Sequence, residues 1–80
     1  MWKVYKLVNS ALGECYAGAT DGDPQARLRE AADGEIEVID YWDGDEHKIT
    51  LEILKTFDDQ VQAVAFLGRT LEQGKCASSP

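Results

Sequence analysis

Tyr5, Asn9, Gly13, Tyr16, Gly18 and Thr20 form a ladder near the start of the chain, and Arg27 follows them. Two phenols eleven residues apart, on strands joined by a glycine turn and followed by a capped helix bearing arginine, can converge on one phosphate. A guanidinium forks onto phosphate oxygens through charge-assisted hydrogen bonds. Other chemistries find less support. There is no Ser-His-Asp set, no P-loop and no dinucleotide fingerprint. His47 stands beside Asp43, Asp45 and Glu46, but a flexible acidic turn with one histidine reads as a solvated turn rather than a cation site. Cys15 and Cys76 lie far from any Cys-x-x-Cys or Cys/His cluster, so no thiolate metal site is expected.

The elements that must position these residues follow from period and punctuation. Trp2 to Asn9 alternates, with Val4, Lys6 and Val8 on one face and Tyr5, Leu7 and Asn9 on the other. Ser10 to Gly13 is a turn and Glu14 to Gly18 the returning strand, so the segment is a hairpin. Asp23 suits a helix N-cap and Pro24 the first helical position. That helix presents Leu28, Ala31 and Ala32 inward and ends at Asp33-Gly34. Glu35 to Trp42 reads as β-like, Asp43 to Glu46 as a turn, and Lys48 to Phe57 as a strand with Ile49, Leu51 and Ile53 on one face. A second helix starts at Asp58 or Asp59 and runs to about Gln73, with Val61, Val64, Ala65 and Leu71 as its core stripe. The expected fold is therefore α+β: one small domain over 1–73 in ββαββα order, with an antiparallel-containing mixed sheet covered by two helices. Residues 74–80 read as a flexible C-terminal tail.

Eighty residues give room for one core, and chains of this size bury only about 60% of their unfolded surface. No apolar run reaches the roughly 18 residues of a membrane span. The N-terminus enters a strand pattern directly, which argues against a cleaved leader and for a cytoplasmic protein with reduced thiols. The net charge is −7 and unevenly spread: residues 31–59 hold ten acidic side chains against Lys48 and Lys55. Gripping nucleic acid through its phosphates requires a basic stripe, and this chain has none. The acidic middle suits a solvated surface, or a face that docks on a basic protein partner.

Val4-Tyr5, Asn9, Gly13, Tyr16-Ala17-Gly18 and Thr20 resemble the opening of the GIY-YIG nuclease superfamily, and Arg27-Leu28-Arg29-Glu30 resembles the arginine-bearing helix that comes next. The likeness covers residues 2–34 and is closest to the short single-domain members. The resemblance implies that Tyr5 helps to activate or orient the attacking water and that Tyr16 supports the site by hydrogen bonding. Arg27 would neutralise charge on the phosphate, with Gly18 beside it, and a glutamate on a later helix would hold one Mg²⁺ or Mn²⁺. The chain departs from that pattern in several places. Lys3 replaces the first glycine, and Ala31 stands where a histidine is common. With Ala63 aligned to the family's usual alanine, Leu67 falls at the glutamate position. Glu72 is five residues further on, about 140° around a helix from Leu67.

Losing a metal that supplies several kcal/mol to a transition state leaves a very poor catalyst. The favoured expectation is thus a catalytically degenerate GIY-YIG-like binding or regulatory module with a residual anion pocket and no cofactor. One alternative is a metal-dependent endonuclease with Glu72 or Glu52 recruited as ligand. The other is an acidic interaction or nucleic-acid-mimic module using segment 33–59.

Overall fold

The computed structural model describes residues 1–74 and 76–78. Its elements are β1 (Trp2–Asn9), β2 (Glu14–Thr20), α1 (Pro24–Ala32), 3-10 helices at Glu37–Trp42 and Glu46–Lys48, β3 (Ile49–Phe57) and α2 (Gln60–Gln73). The fold is α+β, with an antiparallel sheet in the order β2-β1-β3.

The β1–β2 hairpin is closed by Asn9. This side chain is fully buried, and its Oδ1 accepts from the backbone N–H groups of Ala11 and Leu12 at 3.0 and 3.3 Å. Its Nδ2 donates to Asp45 Oδ2 at 2.9 Å, which ties the turn to the loop before β3. Gly13 ends the turn at φ +66, a conformation that glycine adopts without steric cost.

One face of β1 and β2 carries Tyr5, Leu7 and Tyr16, which form the main core with Ala31, Ile39 and Trp42. Helix α1 begins at Asp23, whose carboxylate accepts from Gln25 N–H at 3.0 Å. It ends in a Schellman arrangement: Gly34 N–H bonds Ala31 O and Glu35 N–H bonds Glu30 O. Val4 and Ala17 point to the other face and are fully buried, as is Ala63 of α2. Phe57 and Phe66 meet with ring centroids 5.5 Å apart, joining β3 to α2.

Four expectations need correction. Glu35 to Trp42 is not a strand and the sheet has three strands among the described residues. The buried residues are Ile36, Ile39 and Trp42, a spacing of three. The segment is two 3-10 turns meeting at a kink at Ile39, whose φ −131 and ψ 31 are non-helical, and one buried side chain falls at each end and at the kink. The stripe assigned to α2 is also shifted. Val61 and Val64 are 73% and 52% exposed and Ala65 is exposed, whereas Ala63, Phe66, Leu67, Thr70 and Leu71 are buried or half-buried. Third, Cys15 and Cys76 are joined in a disulfide, not held as free thiols. Helix α2 runs back over the sheet and delivers Cys76 beside β2. There Ala77 N–H donates to Cys15 O at 2.9 Å and Ala17 N–H to Ala77 O at 2.8 Å. Fourth, Cys76 and Ala77 are accordingly held to β2 rather than frayed, with a parallel bridge between Tyr16 and Ala77. The expectation for Lys75, Ser79 and Pro80 lies outside the described residues. No helix among the described residues is long and apolar enough to cross a membrane.

Candidate functional site

A cavity of about 140 Å³ lies along β2 and is lined by Tyr5, Tyr16, Gly18, Arg27 and Leu67, among others. Consecutive strand residues point to opposite faces. Tyr16 and Ala17 both line the cavity, so it draws on residues of both faces of β2. Tyr5 and Arg27 approach from the α1 side and Leu67 from α2.

The register explains how Tyr5 reaches the cavity. Tyr5 pairs with Gly18, and Leu7 with Tyr16, so the two tyrosines are diagonal neighbours with ring centroids 6.5 Å apart. Both are buried. The phenol of Tyr5 lies directly over the Gly18 backbone: a Cβ there would sit 2.5 Å from Tyr5 Oη and 2.8 Å from Cζ. That approach is closed to any other residue type unless the ring moves. Gly18 thus serves the site by having no side chain.

Arg27 is half-buried and held at two points. Its Nε donates to Tyr5 Oη at 3.2 Å, and its Nη1 pairs with Glu30 Oε2 at 2.7 Å. Burial raises the Tyr5 phenol above its ordinary pKa, and the Arg27 hydrogen bond opposes part of that rise. The Arg27 pKa is itself raised, chiefly by the hydrogen bond to Tyr5. A phenol held protonated at neutral pH can donate or accept a hydrogen bond but cannot serve as a ready base, since general bases work best near the operating pH. The arrangement gathers one guanidinium and two buried phenols beside one cavity, with a carboxylate already on one fork of the guanidinium.

The remaining candidates fall elsewhere. Glu72 is exposed on α2 and Glu52 is exposed on β3, opposite Lys6 in the register. His47 is exposed on the short 3-10 helix before β3. Among the described residues, no group of three or more His, Cys, Asp or Glu is gathered closely enough to hold a metal ion. Sequence reasoning placed Arg27 and Glu30 on one helix, but it missed the seating of Tyr5 on Gly18. The alternation of β1 against β2, counted back from the turn, carried that signal.

The chain matches no family model, no curated protein and no solved structure.

Proposed function

We propose that this chain is a catalytically degenerate GIY-YIG-like domain that binds an oxyanion at Tyr5, Tyr16 and Arg27 without cleaving a phosphodiester. The observation that carries this reading is the lining of that cavity by Leu67, the position where the resemblance calls for a metal-holding glutamate. An aliphatic side chain offers a divalent cation no ligand, and hard cations such as Mg²⁺ take oxygen donors. A neutral Tyr5 and a partly occupied Arg27 support the same conclusion, because neither is free to activate water. The volume suits one tetrahedral oxyanion with a few waters. Inorganic phosphate, a phosphorylated ligand and a backbone phosphate share that chemistry.

The test pairs a nuclease assay over a Mg²⁺ and Mn²⁺ titration with phosphate binding followed by amide chemical shifts. Cleavage is expected to stay at background, while phosphate moves the resonances of residues 16–19 and 27 and Arg27→Ala abolishes the movement. Metal-dependent cleavage lost in Arg27→Ala would overturn the degenerate reading in favour of the endonuclease.

A second reading rests on the acidic segment. Of the ten carboxylates in 31–59 only Asp45 is half-buried, and the other nine are exposed. Glu37 and Asp40 lie on the 3-10 helix anchored by Ile39 and Trp42 and Glu46 on the one that follows, and this acidic surface suits a basic protein partner. Neutralising Asp43 and Glu46 tests it, by loss of binding to a lysine-rich peptide; Asp45 is already engaged by Asn9. As for compartment, the cytoplasmic placement needs reducing surroundings, whereas a disulfide favours oxidising ones.

A further inference from the structure

We infer that a second cleft, between the end of β3 and α2, binds a small organic oxyanion: a carboxylate or phosphate attached to a flat apolar body. The cleft has a volume of about 350 Å³ and is lined by Lys55, Phe66, Arg69, Thr70 and Gln73. Small-molecule sites begin at roughly 300 Å³.

A β-bulge builds it. In β3, Ile49, Leu51 and Ile53 pair with Asn9, Leu7 and Tyr5, so they lie on the face of the main core. Unbroken alternation would put Lys55 and Phe57 on that same face. Instead the register shifts between Val4 and Tyr5: Lys55 pairs with Val4 and Phe57 with Trp2, which leaves Leu54 as the extra residue. Bulges re-aim side chains in this way. The shift turns Lys55 and Phe57 toward α2. Lys55 Nζ then stands 5.4 Å from the Phe57 ring centroid and 5.8 Å from that of Phe66. Aromatic faces hold an ammonium electrostatically without neutralising it.

Across the cleft, Arg69 presents a planar fork suited to an oxyanion. No Asp or Glu lines this space. Among the described residues the ion pairs are Arg27–Glu30 and Lys48–Asp45, so neither Lys55 nor Arg69 has a carboxylate partner. In a chain with 15 acidic and 8 basic residues, this cleft has two cations and no carboxylate in its lining. Thr70 Oγ1 donates its one proton to Phe66 O at 3.0 Å, so it offers an anion no hydrogen bond, and the Gln73 amide is the neutral donor in the lining. Phe66 is half-buried and gives the apolar body a surface to lie on. The ligand class follows: an oxyanion for Arg69 and Lys55, a ring or short chain for Phe66.

The test is an amide-shift titration with benzoate, phenyl phosphate and the cation benzylamine. Benzoate or phenyl phosphate is expected to move residues 55 and 66–73, benzylamine to move none, and the stronger of the two anions identifies the oxyanion. Lys55→Gln and Arg69→Gln, which keep polar stems of similar length, are each expected to weaken binding by tenfold or more with an unchanged circular dichroism spectrum. Arg27→Ala is expected to leave it intact, which separates this cleft from the tyrosine cavity. Silence at residues 66–73 with both anions, or shifts that persist when both Lys55 and Arg69 are replaced, would overturn the inference.

Discussion

At the scale of single residues, the tyrosine cavity is governed by competition for one guanidinium. Glu30 occupies Nη1 of Arg27 at 2.7 Å, and both side chains are more than a third exposed. An exposed pair of this kind contributes about 0.2–1 kcal/mol, so an incoming anion displaces it at small cost. Glu30→Gln is therefore expected to raise phosphate affinity by about two- to fivefold, measured by titration at low salt. An unchanged affinity would mean that phosphate does not contact Nη1. Tyr5 makes a separate prediction about pH. Its folded-state pKa lies above the ordinary value because of burial. Above about pH 10 the native state therefore retains a proton that the unfolded chain has lost, and stability falls as pH rises further. Tyr41, raised by its hydrogen bond to Glu14, adds a loss of the same sign. Tyr5→Phe should flatten part of that alkaline decline in urea midpoints measured between neutral pH and pH 11, and an identical slope would contradict the burial argument.

At the scale of elements, α2 is lightly held for its length. Its one fully buried residue is Ala63, and its contact with β3 runs through the Phe57–Phe66 pair. The disulfide fastens the segment that follows it, closing a loop with a sequence separation of 61. Chain-entropy reasoning assigns such a closure about 4 kcal/mol, a large share of what a small domain possesses. Replacing Cys15 and Cys76 together by serine is expected to lower the melting temperature by well over 10 °C, at roughly 4–8 °C per kcal/mol. A calorimetric change of only a degree or two would show that α2 docks without its staple. None of this was legible from the sequence, because two cysteines so far apart carry no pairing signal of their own. The phase of α2 was hidden for a related reason: Val61, Ala63, Val64, Ala65, Phe66 and Leu67 make its first turns apolar on every side, so periodicity cannot choose a face. By contrast, the hairpin, both aspartate N-caps and the inward face of α1 were readable, each set by local stereochemistry. The cavity was readable to the same extent. Tyr5, Tyr16 and Arg27 all lie in the contiguous segment built by those local rules, whereas no local rule brings Leu67 of α2 beside them.

At the scale of the whole molecule, charge and size interact. The net charge is −7 in a body whose extents are 33 × 24 × 19 Å. Screening lengths are about 30 Å at 0.01 M salt and about 8 Å at 0.15 M. In dilute buffer the acidic loop segment is therefore felt across nearly the full length of the protein, and at the higher salt only immediate neighbours interact. Self-repulsion of like charge destabilises a compact state, and here it is concentrated on 31–59, where cations are scarce. The apolar contacts of the core respond much less to salt over this range. The melting temperature is accordingly expected to rise by several degrees between those two concentrations. The same rise should shrink by about half in a variant that neutralises Glu35, Asp43 and Glu46, all exposed and none of them engaged in an ion pair among the described residues. Melting curves that do not move with salt would show that the exposed carboxylates are too well solvated to repel one another. A rise that persists unchanged in the variant would place the repulsion outside this segment.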